Sequence, residues 1–171
     1  MTRTAAQHDG DPQLEKLIRQ VQEEQRTLLL DRLDNDDAWR LGCLLVELGQ
    51  ERGLPIVVDI RRGGQQLFHA ALPGTTADND SWVTRKSRVV DRFGAPSFLV
   101  GLRSRLKGST FEHDTGLPLQ EYAAHGGSFP LTVRDVGVVG TVTVSGLAQA
   151  EDHALVVEAL RAFLGEPGPT T

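Results

Sequence analysis

The chain has 171 residues, of which 39% are hydrophobic and 24% charged, and its formal net charge is −5. This composition is typical of a globular protein, and the length suits one domain that buries its own hydrophobic core. The acidic balance argues against a nucleic acid or an anionic membrane as partner, because binding either of them requires a basic surface.

Two further features bear on where the protein works. The first residues are polar and lack the apolar stretch of a secretory signal, and no segment approaches the about 20 apolar residues of a membrane span. The only cysteine, Cys43, argues against an internal disulfide and against a metal site built from cysteines. We therefore expect a cytoplasmic protein with no membrane partner.

The first third of the chain predicts two helices and a short segment between them. Residues 1–11 are polar and are predicted to form a disordered tail. Pro12 suits a first helical turn, and four apolar residues follow it at helical spacing: Leu14, Leu17, Ile18 and Val21. Residues 27–33 are rich in leucine and fit either a strand or more helix, of which we favour the strand. An Asn/Asp cluster at 34–37 is typical of the start of a second helix, which Gly53 ends.

The middle of the chain predicts a hairpin followed by two helices. Residues 54–60 are rich in β-branched side chains, and residues 65–72 pair back with them after an Arg-Arg-Gly-Gly turn. Residues 81–94, entered through a turn, have the pattern of a helix that stops at its final glycine. Residues 97–108 form a further amphipathic helix, and a polar loop leads on to Tyr122.

A second hairpin and a final helix complete the chain. Residues 129–135 and 138–146 are predicted strands on either side of a turn at Gly137, and residues 148–165 form an amphipathic helix. Residues 166–171 are predicted to fray. Hairpins grouped between helices indicate an α+β fold, in which helices cover an antiparallel sheet within one domain at residues 12–165.

Three motifs resemble a known family. They are "DNDSWVTRKSRVVDRFG", "YAAHGGSFPLTV", and "VVGTVTVSGLAQAEDH" followed by "LVVEALRAFL". Over residues 14–164 the chain resembles a cytoplasmic family of the haem-degrading, GlcG/HbpS-like superfamily, which includes the carboxy-terminal domain of the propanediol-utilisation cobalamin adenosyltransferase. The resemblance implies a five-stranded antiparallel sheet flanked by helices, a profilin-like three-layer sandwich. It also implies a homo-oligomer, at least a dimer, and the binding of haem or a related tetrapyrrole, with haem degradation in some members.

The segment His125-Gly126-Gly127-Ser128 fits two interpretations. In the first, the glycines form a tight turn into the next strand and His125 bonds to a backbone carbonyl. In the second, the segment is the rim of a pocket, where a neutral imidazole ligates haem iron and backbone N–H groups hold a carboxylate. The residues alone leave both interpretations open, and His125 is the one candidate metal ligand.

Two further groups are candidate ligand contacts. Trp82 and Lys86 stand four residues apart and share a helix face, which could clamp a carboxylate beside an indole wall or could be a solvated basic face. Asp152 and His153 open the last helix, where carboxylates stabilise the helix dipole. We predict that both groups meet His125 in one cleft that favours a carboxylate-bearing ligand. Arg103, Arg105 and Lys107 are predicted to be plain surface cations.

The sequence contains no generic enzyme signature: no phosphate loop, no nucleophile elbow and no His-Glu-x-x-His motif. Any enzymatic chemistry would therefore come from a bound cofactor. The leading hypothesis is an oligomeric small-ligand-binding protein that takes haem, a related tetrapyrrole or a carboxylate. The alternative is a non-catalytic assembly or adaptor module without a cofactor. The apolar residues of 98–106 add to the expectation of an oligomer.

Overall fold

The computed structural model describes residues 11–165, so the tails predicted at residues 1–11 and 166–171 lie outside the described residues, except for Asp11. The elements are α1 (Pro12–Thr27), α2 (Asn35–Glu51), β1 (Val57–Arg62), β2 (Gln65–Ala71), α3 (Ala77–Phe93), α4 (Ser97–Leu106), α5 (Phe111–Thr115), β3 (Ser128–Val133), β4 (Gly137–Ser145) and α6 (Gln149–Leu164). Within the described residues, no helix has both the length and the apolar composition needed to cross a membrane.

The first two helices begin at carboxylates, as their sequences predict. The side chain of Asp11 accepts a hydrogen bond from the backbone N–H of Gln13 at 3.0 Å, which caps α1. Asp34 and Asp37 form a reciprocal capping box at the start of α2. The short helix α5 lies in the segment that the sequence predicts to be a polar loop.

The sheet has four antiparallel strands in the order β2-β1-β4-β3. Each hairpin of the sequence prediction is present, and the two hairpins join where β1 pairs with β4, from Val57 opposite Ser145 to Arg62 opposite Gly140. The prediction of an α+β fold with both hairpins in one antiparallel sheet is confirmed.

The prediction of a fifth strand at residues 27–33 is wrong. Only Leu30 pairs with the sheet, through an isolated parallel bridge to Val133. Its N–H donates to the carbonyl of Thr132 at 2.9 Å, and its carbonyl accepts from the N–H of Arg134 at 2.8 Å. The side chain of Leu30 is buried in the core, but the next two residues are exposed. The leucines of this segment thus anchor a connection between helices and do not extend the sheet.

Helices cover both faces of the sheet. On one face α2 and α6 pack against alternate apolar residues of the strands in the main core, which includes Leu41, Leu45, Ile60, Val142 and Leu160. On the other face α3 crosses β1, β3 and β4. A second core joins α1, α3 and α4.

The apolar residues of α4 belong to this second core. Phe98, Leu99 and Leu102 are buried within the subunit. They therefore leave no apolar surplus on α4 for an oligomer contact, and the expectation of an oligomer does not rest on this helix.

Hydrogen exchange distinguishes a single bridge from a fifth strand. We expect slow exchange at the amide of Leu30, because it is bonded to β3, and fast exchange at Asp31 and Arg32, because they are exposed. Amide exchange followed by NMR at neutral pH gives the measurement. Continuous protection over residues 30–33 would contradict the four-stranded sheet.

Candidate functional site

The loop before β3 is held in place by Ser97 at the start of α4. The Ser97 hydroxyl donates to the carbonyl of His125 at 2.6 Å and accepts from the N–H of Ser128 at 3.1 Å. The N–H of Ala123 donates to the carbonyl of Arg85 at 3.0 Å, which ties the same loop to α3. Two helices therefore fix the backbone from which His125 projects.

The two glycines of the loop are required for close packing. A Cβ on Gly126 would overlap the carbonyl oxygen of Gln149 at the start of α6. Gly127 has a φ of +129°, and a Cβ there would overlap the carbonyl of Val144 and lie 2.8 Å from Nζ of Lys86. The two glycines therefore allow α6, β4 and Lys86 to approach the loop closely.

Lys86 and Asp152 form a buried ion pair beside Gly127. The Lys86 Nζ lies 2.8 Å from Oδ2 of Asp152 and donates to the carbonyl of Val144 at 3.2 Å. Oδ1 of Asp152 accepts from the N–H of Leu147 at 3.0 Å. Burial raises the pKa of the Asp152 carboxyl and lowers the pKa of Lys86, and their mutual attraction only partly opposes both shifts. Lys86 is thus committed to an internal partner.

A cleft of about 280 Å³ opens above this pair, and we call it the Trp82 cleft. Its walls come from the start of α3, the loop before β3 and the β4–α6 turn; the lining residues are Asp78, Asn79, Trp82, Lys86, His125, Ser145, Gly146, Leu147, Gln149 and Asp152. The rings of Trp82 and His125 lie 5.2 Å apart between centroids, and the guanidinium of Arg85 lies 4.0 Å from the centre of the indole. The indole N–H donates to Asp78 at 3.2 Å.

His125 is the titratable group of this cleft that has no hydrogen-bond partner within residues 11–165, so its ring does not make the bond to a backbone carbonyl that the turn interpretation expects. Its side chain is half-buried, and neither ring nitrogen makes a hydrogen bond to any of residues 11–165. Burial, and after it the nearby charge of Lys86, lowers the pKa of His125. Glu112 opposes this shift, and Arg85 adds a smaller lowering effect. The imidazole is therefore neutral at pH 7 and has a lone pair available for a metal or a hydrogen-bond donor.

The structure brings Trp82, Lys86, His125 and Asp152 to one cleft, with Gly126 and Gly127 packed beneath it. It does not bring Ser128 there: the Ser128 hydroxyl is buried 2.8 Å from Oγ1 of Thr143.

His153 also lies elsewhere. Its Nε2 is 2.8 Å from a carboxylate oxygen of Glu24, and its ring packs 5.0 Å from that of Phe98. It lines a separate groove of about 640 Å³ between α1 and α6. Asp152 and His153 are neighbours in sequence, but successive helical residues point about 100° apart, so they serve different sites.

A second cleft, of about 250 Å³, lies on the other side of His125, and we call it the Arg105 cleft. It is lined by α4, α5 and the loop before β3, through Gly101, Leu102, Arg105, Ser109, Thr110, Phe111, Glu112, Ala124, His125 and Gln149. His125 and Gln149 line both clefts. Arg105 is exposed, as predicted for a surface cation, and it also borders this cleft.

Sequence reasoning missed several members of these sites. Asp78 stands four residues before Trp82, so the helical spacing that paired Trp82 with Lys86 could also have identified it. Gln149 had no such signal, because its role depends on where the start of α6 packs. The pairing of Glu24 with His153 joins residues 129 apart in the chain, which no local pattern reveals.

The packing role of Gly127 leads to the first test of this site. We expect Gly127→Ala to lower the free energy of unfolding more than Gly137→Ala does. Gly137 has a similar φ of +111° but open space where its Cβ would lie. Gly137→Ala, the control, introduces only backbone strain, which costs about 1–3 kcal/mol. Gly127→Ala introduces the same strain and also steric overlap with Val144 and Lys86. Urea unfolding of both variants gives the comparison, and equal losses would contradict it.

The buried ion pair leads to a second test. Removing one partner of such a pair costs about 3–5 kcal/mol, because an uncompensated charge remains buried. We expect a loss of that size for Lys86→Met and a comparable loss for Asp152→Asn, with a combined loss in the double variant well below their sum. Denaturant unfolding of the four proteins gives the coupling energy. Additive losses would show that the two side chains act independently.

Comparison with known proteins identifies the family. The family model described as "Haem degrading protein HbpS-like" matches residues 33–161. The UPF0303 protein SCO2848 of Streptomyces coelicolor is 61% identical over 149 residues, which are 87% of this chain and 94% of that protein.

Two solved structures are similar to this one. The Ybr137w protein superposes with a TM-score of 0.81 at 30% identity and covers 90% of this chain and 94% of that one. A PduOC:Heme complex superposes with a TM-score of 0.64 at 19% identity, covers 76% of this chain and 94% of that one, and shows a similar fold. As the three sequence motifs predict, the chain belongs to the HbpS-like family.

Proposed function

We propose that this protein binds a small ligand in the Trp82 cleft, and that His125 contacts the ligand directly. The observation that supports this most strongly is the neutral, half-buried imidazole of His125, which has no partner among the described residues. Uncommitted titratable groups with shifted pKa values in a cleft are typical of functional sites. Lys86 and Asp152 position the cleft and do not supply its free charge.

The ligand that suits this cleft is flat and acidic. The Trp82 indole and the His125 imidazole provide an aromatic wall. Arg85 lies over the indole beside the cleft and makes no ion pair within residues 11–165. Its guanidinium donates long hydrogen bonds to the carbonyls of Ser81 and Leu119, at 3.3 and 3.4 Å, and keeps further N–H donors for a carboxylate. The carboxylate clamp expected of Lys86 is therefore better assigned to Arg85, because Lys86 is neutralised by Asp152.

Haem is the candidate cofactor that the family suggests, and the residues of the cleft suit one edge of it. His125 offers a neutral nitrogen of the kind that binds haem iron, and Arg85 offers a cation for a propionate. The cleft of about 280 Å³ is at the lower limit of ordinary ligand pockets, so it would cover only part of the macrocycle. Bound haem would supply the redox chemistry that the side chains lack. A smaller carboxylate would be enclosed more completely.

A second candidate function is an assembly or adaptor module without a cofactor. It is favoured by the internal packing of Gly126, Gly127, Lys86 and Asp152, since motif residues that are used for folding need no ligand. Trp39 is 63% exposed on α2, which suits contact with a partner. A homo-oligomer, at least a dimer, stays a prediction under both functions, and light scattering measures it.

A hemin titration separates the two functions. We expect a saturable shift of the Soret band with the unchanged protein and its loss in His125→Ala. His113→Ala is the matched control, because the side chain of His113 is 85% exposed and lines neither cleft. An unchanged band with the natural protein would favour the adaptor function. A shift that is as large in His125→Ala as in His113→Ala would remove His125 as the ligand and move the site elsewhere.

The same titration at several pH values tests the state of the imidazole. The pKa of His125 in the folded protein lies below the about 6.5 of a free histidine. The Soret shift that depends on His125 should therefore be complete at pH 7. It should decline only in acid, with a midpoint below about pH 6.5, because a protonated ring can no longer bind the iron. A decline that begins above pH 7 would contradict a neutral, buried imidazole.

A further inference from the structure

One wall of the Arg105 cleft is the short helix α5. This helix packs against α4, and the carboxylate of its Asp114 lies 3.7 Å from Nζ of Lys107, just after α4. Phe111 is buried in the second core and packs edge-on to Phe93, with 5.7 Å between the ring centroids. The wall that α5 contributes is therefore anchored in the second core.

Two opposite charges line this cleft and are both uncommitted. Arg105 and Glu112 have no ion-pair partner within 4.0 Å among residues 11–165, and neither side chain makes a hydrogen bond there. The neighbouring charges behave differently: Lys107 pairs with Asp114 at 3.7 Å. A cation and an anion that face one cleft without pairing leave both charges available to a ligand.

We propose that the Arg105 cleft binds a small zwitterion, with its carboxylate on Arg105 and its ammonium on Glu112. The apolar walls formed by Leu102, Phe111 and Ala124 suit an amino acid with an apolar side chain. The volume of about 250 Å³ suits a molecule of that size and is too small for a macrocycle. A simple anion is disfavoured, because the carboxylate of Glu112 would repel it.

A ligand bound in the Arg105 cleft also affects the Trp82 cleft, because His125 and Gln149 line both clefts. A zwitterion bound beside His125 changes the environment of its imidazole and of the adjacent Trp82 ring. The proposal goes beyond haem binding and does not depend on it.

The test is a titration of the full chain with L-leucine, in which the NMR signal of the His125 ring is monitored. L-methionine and L-phenylalanine are titrated in parallel as further apolar zwitterions. Two analogues each lack one charge: 3-methylbutylamine has no carboxylate, and 4-methylpentanoate has no ammonium. We expect a saturable shift with at least one of the three amino acids and a binding at least tenfold weaker for both analogues.

Variants assign the two charges. Arg105→Gln and Glu112→Gln should each weaken amino-acid binding at least tenfold. Arg103→Gln should leave it unchanged, because Arg103 is exposed on the same helix and lies outside the cleft. Circular dichroism confirms that each variant is folded.

Two results would overturn the proposal. One is the absence of a saturable shift with all three amino acids. The other is 4-methylpentanoate binding as tightly as L-leucine with no effect of Glu112→Gln, which would make this a site for a simple anion. Either result leaves the hemin titration unaffected, so the two sites are judged separately.

Discussion

The arrangement of the site depends on one buried ion pair, between Lys86 and Asp152. It joins the middle of α3 to the start of α6, and through the carbonyl of Val144 it also holds the end of β4. Burying two charges costs several kcal/mol per ion, so such a pair persists only where the remaining polar atoms are also bonded. The backbone around Asp152 provides those bonds. Gly127 passes beside this pair because it has no Cβ, and this places His125 against Trp82.

The two faces of the sheet explain why the site lies where it does. The face under α2 and α6 is a conventional apolar core. The face under α3 carries buried polar side chains, among them Asp59, Ser128 and Thr143. Asp59 is bonded to Arg61 at 2.7 Å, and Ser128 to Thr143 at 2.8 Å. These two bonds lie within the sheet, and the bond from Lys86 to the carbonyl of Val144 fixes α3 on the strands. A directional bond of this kind specifies one alignment more strictly than a purely apolar contact does. The clefts open at the edge of this polar layer.

His125 has a distinct position in this arrangement. It lines two clefts. One has an aromatic wall with the cation of Arg85 beside it, and the other is lined by a cation and an anion without ion-pair partners among the described residues. Of the charges that would select a ligand, Arg85 lies within the first of the three family motifs, whereas Arg105 and Glu112 lie outside all three. Members of the family that share the motifs can therefore differ in ligand if the residues at positions 105 and 112 differ.

The local structure was determined by the sequence itself: caps such as Asp34, the glycine turns and the β-branched runs predict most helices and strands correctly, because neighbouring residues set their own hydrogen bonds. The cleft was predictable in part, since Trp82 and Lys86 share a helix face by spacing alone. Only the tertiary structure decided that Lys86 is neutralised by Asp152, and that His153 turns away to Glu24. It also decided that residues 27–33 contribute one bridge and not a strand. These outcomes depend on contacts between residues far apart in the chain, and such contacts are chosen by packing and desolvation, which no local pattern contains.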